Sequence, residues 1–392
     1  MELTTKQAQG LKIAVERYAN KEKFTVISGY AGTGKTTLVR FIIEALDISE
    51  DDICYAAFTG KAAEVLRKKG NKNVSTLHKL LYDSFPLPDG RFLRKPKINI
   101  DYKLVIVDEV SMAPKQIMEL LFKHKCHVIC LGDPFQLPPI DKDSDNGLLK
   151  KPHIFLDEIM RQEAESEIVQ LSMKIRMQKP IEYFVGKEVQ VIKSNELNTG
   201  MLTWADQILT ATNKTRKAIN NQMRMLYGRE GGPQDGDKVI CLRNYWNDGS
   251  ENEDAPLVNG TIGILRNSYQ DFRKVPYFVK CPKRTLDVLN ADLVVNNDYY
   301  KNIPMDLHMI LTGEKCVDAR VAYQLGKLIP KYGEICPKEF EYGYAITTHR
   351  AQGSEWDKVL VIEEKFPFAQ EEHARWLYTA VTRASEKLVL VR

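Results

Sequence analysis

The chain has 392 residues, of which 43% are hydrophobic and 28% charged, and a net charge of +4. That length exceeds one ordinary core and predicts two or three domains, while the apolar share excludes a largely disordered chain. A charge so close to balance excludes a globally basic nucleic-acid coat, so any basic track is local.

Leu3-Thr-Thr-Lys-Gln7 precedes the first helix, and the Gln7 amide has the donor and acceptor needed to pair with adenine. Phe24 to Ser28 reads as a buried strand, and Gly29-Tyr-Ala31-Gly32-Thr33-Gly34-Lys35-Thr36-Thr37 follows as a glycine-rich turn that opens a helix. In such a turn the backbone N–H groups and the positive helix end hold the α and β phosphates. Lys35 reaches the β and γ phosphates, and the Thr36 hydroxyl ligates Mg²⁺. Ile53 to Ala57 is the next strand, then Leu104 to Val107, which ends in Asp108-Glu109. Asp108 is expected to complete the metal site, and Glu109 to orient and deprotonate the attacking water. The expected ligands are therefore ATP and Mg²⁺.

Cys126 to Leu131 reads as a further strand whose alternation puts Cys126 and Cys130 on one face, as core. The seven cysteines include no CxxC pair, and His124, Cys126 and His127 have no second cluster to complete a zinc site. Gly132-Asp133-Pro-Phe-Gln136 follows that strand and brings Gln136 near the γ phosphate. Two arginines, Arg161 in Glu158-Ile-Met-Arg161-Gln and Arg383 in Tyr378-Thr-Ala-Val-Thr-Arg383, are the expected fingers for transition-state charge.

A second alternating set comprises Gln207 to Ala211, Lys358 to Glu363 and Lys387 to Val391, with helices from Asn213 and Glu371. Between its halves, residues 235–338 turn to short β-rich runs, with Val239 to Leu242, Gly260 to Leu265 and Tyr277 to Cys281 read as strands of a small barrel. Between His78 and Asp108 lies a short insertion whose Asp89-Gly90 predicts a hairpin turn and whose Arg91, Arg94, Lys95 and Lys97 make it basic. The fold class predicted is α/β: two parallel-sheet P-loop units, the second carrying an inserted β module. A polar opening helix, reduced thiols and the lack of a long apolar run predict a cytoplasmic, non-membrane protein.

The order of these blocks resembles the superfamily 1 helicases, in the branch that contains RecD and the phage Dda helicase. The matching blocks are Gln7; Gly29 to Thr37; Ala57-Phe-Thr59-Gly-Lys61-Ala-Ala; Ser75-Thr76-Leu-His78; Asp108 to Met112; Gly132 to Pro139; Arg161-Gln162; Thr212 to Arg216; Ala345 to Glu355; and Tyr378 to Arg383. The resemblance implies two RecA-like domains, at 1–160 and at 161–234 with 339–392, a hairpin insertion at 79–103 and an SH3-like barrel at 235–338. It implies an ATP-dependent DNA helicase that moves 5′ to 3′ on single-stranded DNA and separates strands as the two RecA-like domains close. Thr59, Lys61, Thr76, His78, Asn213, Thr347, Thr348 and His349 would then face single-stranded DNA, and Phe92 would act as a pin aromatic. Gln352 and Glu355 would lie nearer the nucleotide, Glu355 contacting ribose or a finger arginine.

The partners implied are single-stranded DNA, single-strand/duplex junctions and proteins of replication, repair or recombination, with the chain itself a monomer. Six residues before Gln7 and nine after Arg383 read as a bare motor. Two other readings compete: a nucleotide-gated DNA-binding subunit with vestigial hydrolysis, and an RNA helicase.

Overall fold

The computed structural model describes residues 3–86, 92–138, 145–160, 165–245, 257–295, 298–326, 335–365 and 369–392. It divides into two compact units: Met1–Tyr82, Pro96–Asn213 and Ile346–Arg392 form the first, Asp83–Lys95 and Lys214–Ala345 the second.

In chain order the first strands are β1 (Phe24–Gly29), β2 (Ile53–Ala57), β3 (Val74–Thr76), β4 (Tyr82–Pro86), β5 (Phe92–Pro96), β6 (Leu104–Asp108), β7 (His127–Gly132) and β8 (Ile154–Leu156). Six of them make one sheet in the order β3-β2-β6-β7-β1-β8, parallel throughout. Its runs of Val, Ile and Leu suit a sheet covered on both faces. Successive side chains alternate between two cores: Ile27, Leu104, Ile106, Ile129 and Leu131 pack with Leu38 and Ile42 on one side. Val26, Val105, Val107, Val128 and Cys130 pack with Leu77, Leu81 and Met118 on the other. Cys126 packs against the same core as Cys130, as strand alternation predicts, and burial raises the Cys126 thiol to about 11. His127 is structural, its ring meeting Thr25 Oγ1 at 3.0 Å and the Glu22 carbonyl at 2.7 Å. Strands β4 and β5 pair as a separate two-stranded ribbon, and the Asp89-Gly90 pair expected to turn between them lies outside the described residues.

The chain continues through β9 (Phe184–Val185), β10 (Val189–Ile192) and β11 (Gln207–Thr210) into the second unit. There β12 (Lys238–Cys241), β13 (Ile262–Lys274), β14 (Thr285–Val295), β15 (Asp298–Asp306) and β16 (Phe340–Tyr342) form a five-stranded antiparallel sheet in the order β15-β14-β13-β12-β16. Met305 of β15 forms an isolated bridge with Lys338, two residues before β16, with Lys338 N–H bonded to the Pro304 carbonyl at 2.7 Å. One predicted strand is absent: Tyr277 to Cys281 is the turn of a long β13–β14 hairpin. Pro276 and Pro282 flank it, and neither can donate to a sheet ladder.

Strands β17 (Ala345–Thr347), β18 (Trp356–Ile362) and β19 (Ala384–Val391) complete a second six-stranded sheet of order β17-β11-β18-β19-β10-β9. The β11–β18, β18–β19 and β10–β19 pairs are parallel, and the edge strand β9 runs antiparallel to its neighbour β10. Among the described residues no helix is long and apolar enough to cross a membrane.

Candidate functional site

The carboxyl ends of β1, β6 and β7 gather the nucleotide-motif residues, the position where parallel sheets bind ligands. After β1 the loop turns through Gly32 (φ 73°) and Gly34 (φ 72°), left-handed conformations that glycine adopts without strain. A Cβ on Gly34 would stand 2.3 Å from Met160 Sδ and 2.5 Å from Gln7 Nε2, so a side chain there would have to displace both as well as strain the backbone. The helix Lys35–Leu46 starts there with no side-chain cap, leaving the first-turn N–H groups to a ligand. Lys35 Nζ donates to the Gly29 and Tyr30 carbonyls at 2.8 and 2.9 Å, which holds the ammonium at the loop. Thr36 is exposed in the first turn, and Thr37 Oγ1 is 4.0 Å from Met160 Sδ.

Gln7 is buried and its amide is fully used. Its oxygen accepts the Thr4 N–H at 3.0 Å in a capping box, and its nitrogen donates to the Thr33 carbonyl at 3.2 Å. It thus braces the phosphate loop from the first helix.

Asp108 ends β6, and one of its oxygens accepts the Glu109 N–H at 2.9 Å. Burial, and then Glu109, push its carboxyl above the usual range, while Lys35 pulls it down. Glu109 has φ 50°, a conformation rare for a non-glycine residue and concentrated at functional sites. The Gln136 amide lies between Glu109 and Arg383, and the orientation that satisfies both of its ends puts its nitrogen 3.1 Å from Glu109 Oε2 and its oxygen 3.2 Å from Arg383 Nη2. Arg383 Nη1 also lies 4.0 Å from Glu109 Oε1, and its guanidinium is held by the Thr379 carbonyl at 3.1 Å and the Ser354 carbonyl at 3.2 Å. Glu109, Gln136 and Arg383 are therefore one cluster. Glu355 is exposed, next to Ser354. Arg161 lies outside the described residues. The donor set fits a phosphate chain with a divalent cation: an uncapped helix end, a lysine, an exposed threonine hydroxyl and a half-buried carboxyl group.

Several contacts at this site join residues far apart in the sequence. The Tyr378 hydroxyl accepts the Ala31 N–H at 2.9 Å and donates to Asp133 Oδ2 at 2.5 Å. Burial keeps Tyr378 well above its ordinary value and raises Asp133, so the phenol remains a donor. Thr379 Oγ1 accepts the Leu137 N–H at 2.9 Å, Gln352 Nε2 donates to the Leu137 carbonyl at 2.8 Å, and Arg375 reaches the Pro134 carbonyl at 2.8 Å. Arg176 lies 3.7 Å above the Tyr30 ring of the phosphate loop.

The residues expected to face DNA sit at strand-to-helix turns, and most have structural duties there. Thr59 caps the helix Gly60–Lys68 by accepting the Ala62 N–H at 3.1 Å, and Thr76 caps Leu77–Leu81 by accepting from Lys79. Lys61 pairs with Glu64 at 2.9 Å. His78 lies beside Phe58 and stacks on Tyr82. Thr347 precedes the helix Thr348–Ala351 without a side-chain cap, and Thr348 is fully buried with its hydroxyl 3.4 Å from the Thr210 carbonyl. Burial holds His349 below the usual histidine range, hence neutral at pH 7. Asn213 opens the helix Asn213–Leu226. Phe92 begins β5, and its side chain lies outside the described residues.

Fold and loop together define a P-loop protein with a RecA-like parallel sheet. The AAA domain family matches residues 2–195, and the UvrD-like helicase C-terminal domain family matches residues 342–391. The chain is 26% identical over 376 residues to the ATP-dependent RecD2 DNA helicase of Deinococcus radiodurans, covering 93% of this chain and 46% of that protein. It is 33% identical over 155 residues to the ATP-dependent DNA helicase dda of Enterobacteria phage T4, covering 38% of this chain and 35% of that protein. A Bacteroides Pif1 helicase has the same fold, with a TM-score of 0.52 at 18% identity over 100% of this chain and 92% of that one. The chain is thus similar to DNA helicases of the RecD and dda type, and its N-terminal half matches the AAA domain family. It spans less than half the length of the RecD2 and dda relatives.

Proposed function

We propose that the chain is an ATP-driven DNA helicase that moves along single-stranded DNA and opens duplexes at junctions. The observation that carries this reading is the Glu109–Gln136–Arg383 cluster: a base, a polar amide and a finger arginine drawn from the residue after β6, the loop after β7 and the segment just past the helix Gln370–Val381. In hydrolysis, water attacks the γ phosphorus as its proton passes to the Glu109 carboxylate, and the bond to the β–γ bridging oxygen breaks. Arg383, with Arg161, stabilises the charge that develops. Thr36 and Asp108 would hold Mg²⁺, which offsets phosphate charge when bound. A phosphate bound in the loop would compete with the Tyr378 hydroxyl for the Ala31 N–H, and so link the loop to the helix Gln370–Val381 that precedes Arg383. We read this as the link between hydrolysis and closure of the two RecA-like domains, with 235–338 as an SH3-like module. Movement from 5′ to 3′ rests on the RecD/Dda resemblance.

The reading is tested by ATPase rates with single-stranded DNA, with RNA and with no polymer. Stimulation by DNA is expected, weakening steeply as salt rises because phosphate contacts dominate, and nearly indifferent to base sequence. Stimulation by RNA alone, or none by either polymer, overturns it. Phe92→Ala is expected to leave DNA-stimulated ATPase and single-strand translocation near normal while reducing strand separation, since a stacked aromatic holds the fork open. Equal loss of all three activities would instead make Phe92 an anchor of the β4–β5 ribbon.

A further inference from the structure

The β13–β14 hairpin ends in a turn that is both aromatic and basic. Tyr277 is 88% exposed and Phe278 52%, their rings 5.5 Å apart at 83°. This exposure is not for want of a core. Val275, Val279, Cys281 and Leu286 of the same segment are buried in a cluster with Val321, Leu325 and Ile335. The turn is therefore anchored from below while two aromatic rings face solvent. Arg284 braces it, donating to the Tyr277 and Val279 carbonyls at 3.3 Å each.

Charge identifies the partner. From Arg273 to Leu286 the sequence has five Lys or Arg and no Asp or Glu. Arg273 pairs with Asp271 at 3.1 Å, and Lys274, Lys280, Lys283 and Arg284 are all exposed. Along β13 the exposed positions interleave Phe272 with Lys274 before the turn. Aromatic faces among cations are what single-stranded nucleic acid requires, because every base offers a π-face and every linkage a negative charge. An acidic protein would use the cations but has no general need of two exposed rings.

We propose that the turn of this hairpin is a single-stranded DNA-binding platform, on which bases stack against Tyr277 and Phe278 while phosphates meet Lys274, Lys280, Lys283 and Arg284. The proposal rests on the helicase reading but uses none of the residues assigned to it.

The test uses the full chain and fluorescein-labelled oligo(dT), read by anisotropy. Tyr277→Ala is expected to weaken binding about 5- to 100-fold, the range for loss of one base stack. Tyr277→Trp should restore it, which a merely structural role would not predict, and basal ATPase without DNA should stay unchanged. Lys280→Glu with Lys283→Glu should weaken binding and flatten its salt dependence. An oligonucleotide carrying 5-iodouracil should photocrosslink to the peptide containing Tyr277. Wild-type affinity in both variants with crosslinks only elsewhere would overturn the platform, leave DNA-stimulated ATPase intact, and indicate a protein-docking surface. Absence of DNA binding and stimulation in the wild type would overturn both readings.

Discussion

Glu109→Gln is expected to lower ATP turnover by on the order of 10³-fold while leaving nucleotide binding in place. The substitution is nearly isosteric, so it preserves the unusual φ of 50° and can still accept a hydrogen bond from Gln136. What it removes is the basic oxygen that takes the proton from water, and the charge facing Arg383 at 4.0 Å. Lys35→Ala removes a different function. Without the ammonium at the loop, nucleotide affinity and hydrolysis are both expected to fall. Phosphate release, measured beside binding of a fluorescent nucleotide, separates the two variants. Normal turnover in Glu109→Gln would show that another group activates water.

Much of the first unit was legible because a sheet buried on both faces writes itself as short apolar runs. Ile53–Ala57 is predicted to the residue, and the strands before the phosphate loop and before Glu109 each run one residue further than expected. The glycines were readable for the same kind of reason, since Gly32 and Gly34 occupy backbone conformations closed to most residues. Tyr277 to Cys281 misled because aromatic and β-branched residues raise strand propensity locally, while the flanking prolines decide the outcome through hydrogen bonding. The capping duties of Thr59 and Thr76 and the Lys61–Glu64 pair follow local spacing rules. Tyr378 is a different case. Its partners Ala31 and Asp133 are 347 and 245 residues away, and only the folded chain brings them together.

Arg383→Ala is expected to reduce kcat about 10³-fold with a much smaller change in KM, because a finger arginine acts on charge present only in the transition state. The side chain is buried, and it meets two carbonyls, the Thr382 hydroxyl at 3.3 Å and the Gln136 amide. Arg383→Lys is expected to rescue little, since an ammonium offers three rotating donors where these partners need a planar fork. A thermal melt separates lost chemistry from lost folding: a variant that melts like the wild type yet turns over slowly has lost only the finger. Gln136 supplies the decisive comparison. It touches Glu109 and Arg383 together, so Gln136→Ala combined with Arg383→Ala should cost clearly less than the sum of the single losses. Additive losses would mean that the amide and the guanidinium act independently, and a change confined to KM would make Arg383 a binding residue with no part in the chemical step.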